Sequence, residues 1–214
     1  MAKQRSSELK FIKEPYVQTL FKTEKEFQDL IKCMDPVTGY KYFMSNFFMI
    51  QHPKLGAMQY KPWEFQDRMV STFHDNVKSI SLCPRQVGKS TTAAGYLLWY
   101  AMFISDATIL IAAHKYTGAQ EIMTRIRYAY ENCPMHIKAG VTTYNKGSIN
   151  FDNGSRIVSA TTTETTGRGM SVSLLYCLDG DTTVRVRNKI TLIEENITLS
   201  DLYDRIYNPT KILK

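Results

Sequence analysis

The segment Ser79-Ile80-Ser81-Leu82 runs into Cys83-Pro84-Arg85-Gln86-Val87-Gly88-Lys89-Ser90-Thr91, and Lys89 opens a helical stretch that reaches about Phe103. A strand, a loop ending in Gly-Lys-Ser and a helix, in that order, restrict the fold more than any other feature of the chain. They fit the phosphate-loop pattern G-x-x-x-x-G-K-[ST] at its last three positions, with Cys83 where the first glycine is expected. The chemistry explains what is kept. Gly88 lets backbone N–H groups close on phosphate oxygens, Lys89 places a charge between the β- and γ-phosphates, and Ser90 offers a hydroxyl to Mg²⁺ at the positive end of a helix. Cys83, Pro84, Arg85, Gln86, Val87, Gly88, Lys89, Ser90 and Thr91 are therefore the candidate nucleotide contacts. Arg85, a cation within the loop, is a candidate arginine finger acting in cis, and a solvated loop arginine is the alternative.

Around this loop the pattern is that of an α/β domain. SISLC (79–83) and TILIAA (108–113) read as buried strands of a parallel sheet, and helices are expected over 89–103 and 118–133. SINF and SRIV flank Asp152-Asn153-Gly154 as a hairpin, since Asn-Gly is a strong turn signal. SVSLLY (171–176) is a further buried strand. Upstream, KTEKEFQDLIKCM reads as an amphipathic helix, and the aromatic-rich span 35–52 is expected to pack on the main domain. The expected fold is a P-loop parallel sheet with helices on both faces. The division is 1–60 as an N-terminal helical and aromatic segment, 61–176 as part of the ATPase domain, and 177–214 as a separate element.

Composition excludes several classes. Cys33, Cys83, Cys133 and Cys177 form no CxxC pair, so neither a zinc site nor a disulfide framework is expected, and the context reads as reducing. The N-terminus lacks an apolar signal core, and the longest apolar run, Tyr96 to Ile104, is too short to cross a bilayer. The net charge is +7, which permits a polyanionic partner such as DNA, although no basic stripe stands out. All of that excess precedes Cys177: residues 1–176 carry 21 Lys+Arg against 14 Asp+Glu, and residues 177–214 carry six of each.

Before the first core strand lies Lys61-Pro62-Trp63-Glu64-Phe65-Gln66. A glutamine amide both donates and accepts, so Gln66 can pair with adenine, and Phe65 can pack near the base. That favours ATP over GTP. Taken together, the chain from about Asp35 to Tyr176 resembles the ATPase half of the large terminase subunit of tailed phages. The resembling pieces are Phe65-Gln66, the loop Arg85 to Ser90, Ile111-Ala112-Ala113-His114-Lys115 at a strand end, FDNGSRI, and Thr166-Gly167-Arg168-Gly169 before SLLY. In that family the missing first glycine is usual. The resemblance implies ATP and Mg²⁺ as cofactors, and Arg168 as a second candidate finger, acting across subunits of a homo-oligomeric ring. It further implies double-stranded DNA, a portal and a small terminase subunit as partners, and the cytoplasm of an infected bacterium as the place of work. It also implies an acidic pair directly after the strand that ends at Tyr176.

Tyr176 is succeeded by Cys177-Leu178-Asp179-Gly180-Asp181-Thr182, and two readings stand. In one, Asp179 is the magnesium acid of a complete helicase-like or kinase-like P-loop ATPase, with Asp181 on the same strand face. In the other, the terminase stops at Tyr176, and CLDGDTTV resembles the opening block of an intein with Cys177 as its nucleophile. TTVRV and KITLIE then read as two strands and ITLSDLYDRIY as a strand end plus a capped helix, the start of a β-rich Hint fold. A splicing histidine and a terminal His-Asn are needed, yet His52, His74, His114 and His136 all precede Cys177. The expectation is thus an N-terminal split-intein fragment. Its partner would be a C-terminal precursor chain bringing the rest of the intein, the acids and a nuclease domain. A basic α/β module that binds DNA without chemistry is the third possibility.

Overall fold

The computed structural model describes residues 11–52, 54–81, 83, 86–113, 115–162, 169–178, 183–187, 194–198, 201, 202 and 205. Its centre is β3 (Thr108–Ala113), in which every residue after Thr108 is buried. A run that is apolar on both faces needs neighbours on both edges, and β3 has them. β6 (Arg156–Thr161) pairs with it in parallel from Thr108↔Arg156 to Ala113↔Thr161. β7 (Leu174–Leu178) pairs in parallel on the other edge, from Ile109↔Leu174 to Ala113↔Leu178. With β4 (Val141–Tyr144) and β5 (Ser148–Phe151), the order is β4-β5-β6-β3-β7.

The expected parallel sheet is corrected to a mixed one: β5–β6 is the expected antiparallel hairpin, and β4 adds a further antiparallel strand at its edge. The Asn153-Gly154 turn accounts for β5–β6: so tight a link, with Gly154 at φ 84°, only joins antiparallel strands. A second correction concerns SISLC. Described residues 79–81 and 83 lie outside every strand, and Ser79 and Ser81 are exposed. Ile80 and Cys83 are half-buried there, and among the described residues β7 bonds to β3 alone, so no described strand takes this segment at its edge. A third correction is that β7 starts later than SVSLLY and runs on through Cys177 and Leu178. Ser173 spends its N–H on the Thr108 carbonyl (2.9 Å), and its Oγ accepts from the Thr108 N–H (3.1 Å), so the ladder begins after it.

The helices follow the sequence more closely. α1 (Glu24–Met34) is capped by Thr23, whose Oγ1 accepts from the Glu26 N–H. α2 (Gly39–Asn46) and the short hairpin β1–β2 (Met49–His52, Gly56–Gln59) precede α3 (Glu64–Asp75). α4 (Lys89–Phe103) is the helix expected after the loop, and α5 (Tyr116–Asn132) starts two residues before its expected position. α4 and α5 pack on each other and on β3. Both share one core with Ile109, Ile111 and Ile157 on one face of the sheet. Leu110 and Ala112, buried on the opposite face, lie outside that core. Helical cover on both faces was expected, and the main core occupies one. The aromatic span belongs to that same core: Tyr40, Phe43, Met44 and Phe48 are buried with Trp99 of α4. Trp99 Nε1 donates to the Cys33 carbonyl at 2.8 Å, which ties α1 to α4. Gly95 makes the approach possible, since a Cβ there would sit 2.9 Å from the Phe48 ring and 3.0 Å from Met44.

The far end of α4 is held by the hairpin turn. Asn153 Nδ2 donates to the carbonyls of Ala101 (3.0 Å) and Met102 (3.2 Å), and Ser155 Oγ donates to that of Ile104 (2.5 Å). Helix ends carry carbonyls with no partner in the helix, and DNGS supplies partners for three of them. Asn153→Ala is expected to lose about 1–3 kcal/mol in urea denaturation. A loss under about 0.5 kcal/mol, typical of an uninvolved surface site, would show that water serves as well.

β8 (Thr183–Arg187) and β9 (Glu194–Thr198) form a separate antiparallel pair, with Thr183 opposite Thr198. Of the strand expected at KITLIE, only Glu194 is described, as the first residue of β9; residues 189–193 lie outside the described residues. The expected helix start is supported locally, because Thr198 Oγ1 accepts from the Asp201 N–H at 3.0 Å.

Candidate nucleotide-binding site

The site is built where the loop enters α4. Gly88 is the N-cap residue, at φ 77° and ψ 9°, and Gln86 is also left-handed at φ 65°. A glycine suits the first of these positions because a side chain is strained there. It has a second reason here: a Cβ on Gly88 would stand 2.8 Å from Gln66 Nε2. Lys89 folds back across the loop and donates from Nζ to the Cys83 carbonyl at 3.4 Å. Among the described residues it makes no ion pair. Ser90 is half-buried in the first turn of α4. Thr91 accepts at Oγ1 from Arg125 Nη1 of α5 at 3.0 Å, which links the loop's end to the neighbouring helix.

Gln66 is buried, at 6% exposure, and turned toward the loop. Its Oε1 accepts from the Trp63 N–H and from the Tyr60 hydroxyl, each at 3.0 Å, and its Nε2 donates to the Val87 carbonyl at 2.9 Å. Among the described residues the second Nε2 hydrogen has no partner. Phe65 is half-buried and lines a hollow of about 420 Å³ with Arg68, Met69, Cys83 and Val87. The hollow is mostly apolar, which suits the face of a base. The residues present fit a magnesium–nucleotide polyphosphate: a left-handed glycine opening a helix, an ammonium with no ion pair among the described residues and a hydroxyl in the first turn meet at one loop.

Residues 80–192 match the family model for the terminase large subunit, T4-like-virus type, N-terminal, a span of 113 of the 214 residues (192 − 80 + 1). The chain belongs to the terminase large subunit family. Terminase large subunits are the ATPases of phage DNA packaging, and that is the machinery to which this chain is assigned.

In this terminase the loop and the end of β7 are neighbours. Burial pushes the Tyr176 phenol up to about 12, and Cys83 of the loop and Cys177 add to the shift, so Tyr176 lies within electrostatic reach of Cys83. Cys177 stands opposite Ala112 in the parallel ladder, and burial raises its thiol above the ordinary range. Pro84, Arg85, Arg168, Asp179 and Asp181 lie outside the described residues, so neither candidate finger and neither candidate acid has a position. Among the described residues no cluster of His, Cys, Asp and Glu suits a metal ion, and no helix is long and apolar enough to cross a membrane.

Two residues beside the loop carry no motif and were not singled out by sequence. Thr92 lies buried two positions past Ser90, and its Oγ1 donates to the Gly88 carbonyl at 3.1 Å. Tyr60 lies just after β2, with its hydroxyl 2.7 Å from Thr92 Oγ1. The only trace in the sequence is a hydroxyl residue in the first turn of α4, which any helix tolerates.

Proposed function

We propose that residues 61–176 form the nucleotide-binding part of an ATP-driven DNA-packaging motor, and that residues 177–214 open a split intein interrupting it. The observation that carries the first half is the left-handed Gly88 opening α4, with the Lys89 ammonium folded over the loop. With ATP and Mg²⁺ bound, the bound triphosphate supplies the bond whose hydrolysis drives the motor. The chain's own groups then hold it. Backbone N–H groups from Gly88 to Ser90 receive phosphate oxygens, and Lys89 exchanges the Cys83 carbonyl for the β- and γ-phosphates. Ser90 offers its hydroxyl to the metal ion, and Phe65 flanks the base with the remaining amide hydrogen of Gln66 near it. Arg85 in cis and Arg168 across a ring of subunits are the candidate fingers. Double-stranded DNA, a portal and a small terminase subunit are the proposed partners, in the cytoplasm of an infected bacterium.

For the second half, support comes from the Cys-Leu-Asp-Gly-Asp-Thr opening, the balanced charge after Tyr176, and a β8–β9 pair that forms its own sheet. Cys177 Sγ would attack the Tyr176 carbonyl carbon. The C–N bond breaks, the nitrogen takes the thiol's proton, and a thioester replaces the amide. A C-terminal precursor chain would supply the splicing histidine, the acidic pair and the nuclease domain.

The other reading has its own support. β7 continues unbroken through Leu178, and the family match runs on to residue 192. Asp179 would then follow the strand directly as the magnesium acid. A parallel ladder, however, asks only for extended backbone and apolar side chains, and Cys-Leu meets that whichever element it belongs to. Steady-state turnover separates the two. Under the split reading the isolated chain binds ATP yet hydrolyses it poorly. Turnover at a motor's rate by this chain alone, abolished by Asp179→Asn, would establish the second reading instead.

A further inference from the structure

We infer that Tyr60 is a positioning residue for the phosphate loop, acting through Gln66 and Thr92 on the carbonyls of Val87 and Gly88. This rests on the reading of Cys83–Thr91 as a nucleotide site and adds a device to it. The side-chain and backbone groups form one set of close polar contacts, in which the two hydroxyl hydrogens of Tyr60 and Thr92 are shared among three contacts: Gln66 Oε1, the Gly88 carbonyl and each other. Tyr60 is bonded at 3.0 Å to Gln66 Oε1 and lies 2.7 Å from Thr92 Oγ1. Gln66 Nε2 reaches the Val87 carbonyl at 2.9 Å, and Thr92 Oγ1 reaches the Gly88 carbonyl at 3.1 Å.

Peptide planarity turns these bonds into aim. In a trans peptide the C=O and the following N–H point in opposite directions. Holding the Val87 carbonyl therefore directs the Gly88 N–H away from Gln66, and holding the Gly88 carbonyl directs the Lys89 N–H in the same way. Those two N–H groups are the ones a phosphate meets first at the helix entrance. Between the two planes stands the left-handed Gly88; its own carbonyl also accepts the Thr92 N–H at 2.9 Å as the first bond of α4, so the Val87–Gly88 plane is the one that depends on the side chains. The set is rigid at its root. The Tyr60 N–H donates to the Phe48 carbonyl at 2.9 Å, and the two rings meet edge to face at 5.3 Å. Burial pushes the Tyr60 phenol up to about 12, so it stays neutral and able to donate at neutral pH.

The test is titration calorimetry on the full 214-residue chain, using magnesium-ATP and, separately, magnesium pyrophosphate, which has no base. Tyr60→Phe and Thr92→Val are each expected to weaken both probes about two- to tenfold, the range of one neutral hydrogen bond. Thr92→Ser keeps the hydroxyl and is expected to bind within about twofold of the parent. The double variant Tyr60→Phe/Thr92→Val is expected to lose less than the product of the single losses, since both act through one set. A loss seen with ATP but not with pyrophosphate would place Tyr60 on the base side and overturn the inference. So would unchanged binding in both variants while Lys89→Ala binds neither probe, an outcome that leaves the nucleotide site standing. Failure of the parent chain to bind either probe would overturn the site and this inference together. Should Tyr60→Phe fail to fold by circular dichroism, the Thr92→Val and Thr92→Ser pair decides.

Discussion

Lys89→Ala is expected to weaken ATP binding by about ten- to a hundredfold while leaving the fold intact. A hydrogen bond to a charged group is worth about 1.5–3 kcal/mol, and each 1.4 kcal/mol is tenfold in affinity. Lys89 supplies such a bond with no rival cation described at the loop, and the structure asks little else of it. Its one described contact is a long bond to the Cys83 carbonyl, and it is half-buried rather than part of the core. Unfolding should therefore shift by only a few tenths of a kcal/mol, as for other surface sites. Calorimetric titration with magnesium-ATP measures the first quantity and urea denaturation the second. Unchanged affinity would remove nucleotide chemistry from the loop and return the chain to the reading of a basic module that holds DNA alone.

Cys177→Ala should abolish ligation to a complementary intein fragment altogether, because without the sulfur no thioester forms at Tyr176. ATP affinity should stay within about twofold, since no hydrogen bond to the loop is removed. The structure adds a condition. Cys177 is held in β7 opposite Ala112, and its thiol is raised by burial, so little thiolate exists there at neutral pH. Ligation then depends on the partner fragment drawing the strand end out of the sheet. Gel separation of the mixed chains reads the product. Continued ligation by the alanine variant would dismiss Cys177 as nucleophile.

Much of this was readable along the chain, and the failures have physical causes. TILIAA, the helix after the loop and the Asn-Gly hairpin were legible because each signal is local: an apolar run, a period of 3.6, a turn dipeptide. SISLC misled because a strand needs an edge to pair with, and pairing is a property of the neighbour, here β7, which among the described residues pairs with β3 alone. The mixed sheet was hidden in the same way, since β4 declares no direction until β5 is placed beside it. At the site, Gly88, Lys89 and Ser90 were legible through spacing. Gln66 was legible as important, but the described geometry spends most of its amide on Val87, Trp63 and Tyr60 rather than keeping it free for adenine. Tyr60 and Thr92 were illegible, because a hydroxyl whose partner lies 4, 6 or 32 positions away leaves no pattern in composition or period.

β7 closes the sheet on the loop side, with Leu175 54% exposed and, among the described residues, no strand beyond it. A strand edge of that kind is a template for any other extended chain, another copy of itself included. The protein therefore carries a hazard of self-association during its life in the cell. Its five-residue length limits that hazard, because a short edge offers few bonds to an intruder. The same brevity leaves the edge free for a partner that arrives with better complementarity, so that solubility and assembly compete for one strip of backbone.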